Sequence, residues 1–496
     1  MADKFQFQFD FSSNAKTGRR ENVRKRILLL GNYSGQNQDK PELASRKPLI
    51  VDVDSLDAVL SKIAPQIRFS LEGGGEETLI DFKTLEHFHP DELYKRLDIF
   101  KSLRGMRMRL ENPSTFAAAA EELKRGMGEI TSETTQDQSQ AQNQDENLFD
   151  RLLGGHSTES ESIPKQPVDK VQSIIQQIVA PHLSKGVDLG QQKQLLSALD
   201  DSINQLMRGI LHHPQFQALE AAWRGVEWLV GNIEDSDDLK IYLLDVSFDE
   251  IMADIGASEG QVEKIAIHRL MSESSLGIPG GEPWSLVVGD FRFGDNVESL
   301  VLLELMGAFS AGCGGKFIAN GSPQLLGCES LAMTPDKADW SVPKAEIAQV
   351  WQSLRKSQAA RYIGLALPRF MLRLPYGKNT NPTDNFRFEE MPSKPKHEHY
   401  LWGNSALICA EMIARSWLEG EDAEPGTLRD TGSLPYHVYD DGSGQSIKPC
   451  AEVYLNEKTA NAILDAGIIP VLSVRNQNRA IVPRLMSIAE DATELV

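Results

Sequence analysis

Cysteine is scarce: Cys313, Cys328, Cys409 and Cys450 are the only four in 496 residues. No two lie at the short spacing of a zinc site or in the dense pattern of a disulfide scaffold, so they read as small buried apolar side chains in a reducing cytoplasm. No run approaches 18 uncharged apolar residues, and the opening Met1-Ala2-Asp3-Lys4 lacks the apolar core of a secretory signal. The expectation is a cytoplasmic protein without direct membrane insertion. Basic residues are outnumbered, 51 Lys and Arg against 71 Asp and Glu, for a formal net charge of −20. This disfavours a nucleic acid or an anionic membrane as the main partner, because phosphate binding rests on a basic surface, and the expectation is no nucleic acid. The one basic cluster, Lys16 to Arg26, is short and reads as a solvated face.

Catalytic signatures are also lacking. Ala311-Gly312-Cys313-Gly314-Gly315-Lys316-Phe317 resembles a phosphate loop only loosely, since Phe317 stands where magnesium binding needs a hydroxyl and Ser310 where the first glycine belongs. His87-Phe88-His89 and His397-Glu398-His399 are not the helical two-histidine spacing of zinc proteases and bring no third ligand, so they read as helix-flanking residues. There is no Gly-x-Ser-x-Gly elbow. Glu389-Glu390 reads as a solvated pair of carboxylates. The expectation is no enzyme, no cofactor and no metal, with an α/β enzyme of unrecognised site as the reading from another class.

What is present is modular. Residues 131–147, TSETTQDQSQAQNQDEN, carry no aromatic or branched aliphatic side chain and cannot offset the entropy of ordering, which marks a linker. The expected division is an N-terminal strand and tether (1–22), a small α/β domain (23–125), a linker with a short helix (126–165), a helical region (166–235) and a large domain (236–496). Phe5, Phe7, Phe9 and Phe11 alternate with Gln6, Gln8 and Asp10, so all four rings share one face of a strand. Arg26 to Leu30 reads as a buried strand closed by Gly31-Asn32-Tyr33-Ser34-Gly35. Ile67–Leu71 and Thr78–Phe82 flank Gly73–Gly75 as a hairpin. From Pro90, Leu93, Leu97, Phe100, Leu103, Met106 and Leu110 recur at helical steps, a single helix.

Beyond the linker, Leu195, Leu199, Ile203, Leu206 and Ile210 form one apolar stripe, and Phe216, Leu219, Trp223 and Val226 another, with His212-His213-Pro214 between the two helices. Apolar runs at 241–246, 285–288 and 362–367 alternate with helical stretches, the pattern of α/β folds with mixed sheets. Ala451–Leu455 and Ile469–Val474 read as strands, with Pro470 favouring an edge.

Several of these stretches resemble a known family. Ile27-Leu28-Leu29-Leu30-Gly31-Asn32-Tyr33-Ser34-Gly35 and Phe88-His89-Pro90-Asp91 are similar to the small sheath subunit of type VI secretion, TssB. LHHPQFQALEAAWRGVEWLV at 211–230, GGEPWSLVVGDFRFG at 280–294, ARYIGLALPRFMLRLPYG at 360–377 and YLWGN at 400–404 are similar to the large subunit, TssC of the ImpC/EvpB family. The family's subunits are ordinarily separate chains, so this resemblance implies a fusion with one-to-one stoichiometry. Arg475 to Val496 does not match the ending of a large subunit.

The resemblance implies a contractile tail-sheath-like protomer, a structural subunit that polymerises into a helical homo-oligomer around an inner tube and contracts to propel it. A phage-tail-like contractile particle is the related alternative. Implied partners are the inner tube protein Hcp, baseplate components at the envelope and the recycling AAA+ unfoldase ClpV. Strand exchange between protomers, a family trait, directs attention to Phe5, Phe7, Phe9 and Phe11, and to Val453, Leu455, Val471 and Val474 as C-terminal exchange strands. Leu148, Phe149, Leu152 and Leu153 resemble the unfoldase-recognition helix of the large subunit. Burying four Phe rings contributes about 1.5–3 kcal/mol each, against roughly 1–2 kcal/mol per ordered backbone residue. A lent strand would hold only alongside a wider interface.

Overall fold

The computed structural model describes residues 24–70, 77–130, 191–234, 236–276, 281–392, 394–419 and 430–495. Seven apolar segments pair into one sheet: β1 (Lys25–Gly31), β2 (Leu49–Val51), β3 (Leu239–Asp245), β4 (Leu286–Phe293), β5 (Lys316–Gly321), β6 (Ile363–Leu367) and β7 (Ile469–Pro470). Their order is β7-β6-β5-β4-β1-β3-β2, all parallel except β2, which runs antiparallel to β3. The protein is thus a mixed α/β structure. In a parallel sheet both faces are covered, so its strands are apolar throughout rather than alternating. That is why Ile27, Leu28, Leu29 and Leu30 are all at most 1% exposed.

The chain forms two compact units that do not follow chain order. One holds residues 24–63, 218–374 and 393–496, the other residues 64–217 and 375–392, within the described residues. In the first, Leu28 and Leu30 share a core with Leu244, Val287, Phe317 and Leu365 and with the helix Val297–Gly312. The helix Phe248–Ala257 begins with a full capping box, Ser247 accepting from Glu250 N and Glu250 from Ser247 N, which satisfies two otherwise orphaned amides.

The second unit contains the expected hairpin, Gln66–Ser70 paired with Glu77–Asp81, with Ile67 opposite Ile80. Its core joins Phe82, Phe88 and Phe216, the first two stacked 4.0 Å apart. The helix expected from Pro90 to Leu110 is two, Pro90–Arg96 and Asp98–Glu111, because Leu97 is extended at ψ 133°. His89 caps the first, its Nδ1 accepting from Asp91 N at 3.2 Å. The helix Gln191–Leu211 ends where Pro214 starts the next, at the expected His212-His213 junction.

Two strand expectations are corrected. Ala451–Leu455 is irregular: Glu452 has φ +44°, outside the range a strand allows, and its carboxylate is drawn to Arg369 and His397. Ile469–Val474 is broken into Ile469–Pro470 and Leu472–Ser473. Pro470 does sit in an edge strand, where a missing amide costs no ladder bond.

Candidate assembly interface

An inner strand of the sheet comes from the far end of the chain. β1 pairs along all seven residues with β3, Lys25 opposite Leu239 through Gly31 opposite Asp245, and along four with β4, Ile27 opposite Leu286 through Leu30 opposite Gly289. Residues before and after the linker are therefore parts of one folded body. The four apolar side chains of β1 contribute about 1.5–3 kcal/mol each on burial.

Side chains reinforce the join. The Arg26 guanidinium lies 3.8 Å from the Trp284 ring centroid and 4.9 Å from that of Tyr242. It donates to Glu282 O and Ser274 O, each at 2.8 Å. Arg46 makes a two-pronged bond to Glu250, at 2.6 and 3.1 Å, and donates to Asp245 O at 2.7 Å. Burial would raise the Glu250 carboxyl, but the bonds from Arg46, Ser247 N and Lys40 outweigh it and hold the pKa at about 2. Trp223 Nε1 donates to Tyr33 O at 2.9 Å. Fully buried Glu220 takes Arg373 Nε at 2.8 Å and Arg224 Nε at 2.7 Å.

The carboxyl ends of parallel strands are where open α/β sheets bind ligands, and here they carry a packed polar cluster. Ser34 N donates to Asp245 at 2.8 Å, Asn404 Nδ2 to Gly289 O at 2.9 Å and to Asp290 at 3.3 Å, and Ser405 to Asn320 at 2.8 Å. Burial raises the Asp290 carboxyl to about 6 despite the Asn404 bond. Tyr33 is raised well above its usual range by burial first, then by the charges of Asp290 and Asp245. Gly31 packs closely there: a Cβ would lie 3.0 Å from the Asp290 Cβ and from the Tyr33 ring, closer than ordinary contact.

The phosphate-loop look-alike is a helix-to-strand turn between Val297–Gly312 and β5, the reverse of the strand-to-helix order that cradles phosphate. Gly315 serves close packing, as a Cβ would fall 1.8 Å from Trp284 O. Among the described residues no three His, Cys, Asp or Glu side chains are grouped to hold a metal ion. His87 Nδ1 accepts from Lys83 N, and His397 Nε2 lies 3.2 Å from Glu452. Glu390, expected in solvent, is 1% exposed, with its carboxylate accepting from Tyr376 N at 2.7 Å.

Of the sequence-chosen assembly residues, Phe5, Phe7, Phe9 and Phe11, and Leu148, Phe149, Leu152 and Leu153, lie outside the described residues. Val453 and Leu455 pack as half-buried residues against the sheet core. Val471 is fully buried, its amide donating to Leu367 O at 2.8 Å, and Val474 bonds Arg479 O at 3.0 Å. Sequence reasoning did not find Arg26, Glu220 or Asp290, whose partners lie far along the chain.

Comparison with known families decides what this body is. Residues 193–488 match the VipB family model, described as EvpB/VC_A0108, tail sheath N-terminal domain. The chain belongs to the VipB tail-sheath family. Residues 6–145 match a second model, type VI secretion system, VipA, VC_A0107 or Hcp2, so β1 and β2 are the VipA-like part's contribution to a sheet whose other five strands are VipB-like. The chain is also similar to the type VI secretion system sheath protein TssC1 of Pseudomonas aeruginosa, 34% identical over 297 residues, covering 58% of this chain and 59% of that protein. It therefore spans somewhat less than two thirds of that relative's length. VipA-like and VipB-like parts stand in one polypeptide, TssB joined to TssC. No described helix is long and apolar enough to cross a membrane.

Proposed function

We propose that this chain is a structural subunit of a type VI secretion contractile sheath, a fused protomer that polymerises in the cytoplasm around an inner tube and shortens to drive it outward. The observation that carries this reading is β1: a VipA-like strand is an inner strand of a sheet otherwise built mostly from the VipB-like part, and one chain fixes their stoichiometry. The sheath would grow from an envelope-docked baseplate, enclose an Hcp tube and be recycled by a ClpV-type unfoldase acting at Leu148, Phe149, Leu152 and Leu153.

Cohesion between copies rests on Phe5, Phe7, Phe9 and Phe11, one strand lent to a neighbouring protomer in the tube. Backbone bonds would give affinity and alternate rings register. The test is sedimentation of Phe7→Asp with Phe9→Asp. The parent chain should pellet as polymer and the variant stay in the supernatant with an unchanged circular-dichroism spectrum; pelleting of both would reject the role of this strand.

A further inference from the structure

One edge of the sheet is left open beside the point where the chain enters it. Among the described residues β2 pairs only with β3. Ile50 and Val53 there are 51% and 63% exposed, unusual for branched aliphatic side chains at a sheet edge. They line a groove of about 150 Å³ whose floor includes Val51, Val230, Ile233 and Leu239. Its rim is acidic, with Asp52, Asp54 and Glu234, and Asp237 and Asp238 follow close by in the chain. The entering chain is held at that same end: Arg24 Nε donates to Asp237 O and Lys25 N to Asp238 O, both at 2.7 Å.

The segment before Arg24 has matching chemistry. Residues 5–11 alternate four Phe with Gln and Asp, and Lys16, Arg19 and Arg20 follow them. We propose that the open edge of β2, next to this groove, is the seat of the chain's own residues 5–11, added as an eighth strand while the subunit is unassembled.

Length and direction both fit. A strand outside β2 lies three inter-strand steps from β1, about 14 Å, and a coil of the length of residues 12–24 has a root-mean-square span of about 20 Å. A tether whose natural span matches the gap gives the highest effective concentration for a segment of the same chain. β2 runs toward the end of the sheet where β1 starts, Val51 lying opposite Ile241 and Lys25 opposite Leu239. A strand parallel to β2 therefore ends at residue 11 next to the tether's anchor, while an antiparallel one would send the tether back along the strand's whole length. The parallel arrangement sets Phe11 beside Val53 and lays the basic tether across the acidic rim. The seat covers an edge that would otherwise invite unplanned pairing, and assembly then moves the strand from its own sheet to a neighbour's.

Paired cysteines test this on the full chain. Phe11→Cys with Val53→Cys should be bridged by a short bis-maleimide at concentrations where the chain is unassembled. In a mixture of ¹⁵N-labelled and unlabelled protein, the bridged peptides should carry one isotope only. Phe5→Cys with Val53→Cys should bridge at least about tenfold less, because a strand places those positions about 20 Å apart. Equal bridging by both pairs, no bridging, or mixed-isotope bridges would overturn the proposal. In a second measurement, removal of residues 1–15 should speed amide hydrogen exchange at residues 49–53 about tenfold; unchanged exchange overturns it too. Both readouts are taken before polymer forms, so they fail or succeed independently of whether the chain builds tubes.

Discussion

Asp290→Asn should stabilise the protein above pH 6. Asp290 lies within β4, next to Gly31, with one side-chain bond, from Asn404 at 3.3 Å, and no cation pairs with it among the causes that set its pKa. Burial, opposed by that bond, raises its carboxyl from 3.8 to about 6. A carboxyl with a raised folded pKa binds its proton more tightly in the fold than in the unfolded chain. Its penalty is absent below pH 4, grows between about 4 and 6, and is complete above. At 1.36 kcal/mol per tenfold change in proton affinity the full difference is about 3 kcal/mol. The residue is only partly buried, and residual solvent screening reduces the usable figure to about 2 kcal/mol. For a cooperative unit of roughly 300 residues that raises Tm by about 3 °C. Thermal unfolding of parent and variant at pH 5 and pH 8 is the assay, with the gain expected mainly at pH 8. A variant less stable than the parent at pH 8 would refute the reasoning, since it would mean that the ionised carboxylate is a needed acceptor.

Three further outcomes are expected. Residues 191–496 expressed alone should aggregate, because without β1 the facing edges of β3 and β4 are open, and co-expression with residues 1–130 should restore a soluble one-to-one complex on size exclusion; a soluble, monomeric 191–496 fragment would contradict the central place of β1. Arg26→Lys should lower stability by about 1–3 kcal/mol in thermal unfolding, since an ammonium cannot stack as a plane on Trp284 while bonding two carbonyls; an unchanged Tm would show that the stack contributes nothing. Deleting residues 145–155 should leave sheath assembly intact and block its recycling in cells, seen as persistent contracted sheaths by fluorescence; normal turnover would end the recognition role of Leu148 to Leu153.

Local pattern carried much of the architecture. The run Arg26–Leu30, the 241–246, 285–288 and 362–367 strands and the stripes of the two helices meeting at His212-His213 were legible because an apolar period reports one residue's neighbours in the same element. What was not legible depended on distant partners. The run Ile27–Leu30 says that β1 is buried but not that residues 239–245 and 286–289, over 200 positions away, flank it. Ala451–Leu455 has a strand-like composition, yet Glu452 sits at φ +44°, with its carboxylate held by Arg369 and beside His397. Glu390 looks solvated beside Glu389 because its partner, the Tyr376 amide, is 14 residues away. Leu97 interrupts a helix whose apolar spacing continues straight through it.

Electron microscopy of the purified full-length chain tests the account most directly. The fused-protomer account predicts long hollow tubes built from this one polypeptide, in two diameters that correspond to extended and contracted sheath. A preparation that stays as dispersed single subunits across salt, pH and protein concentration, with no tube of either diameter, would contradict it.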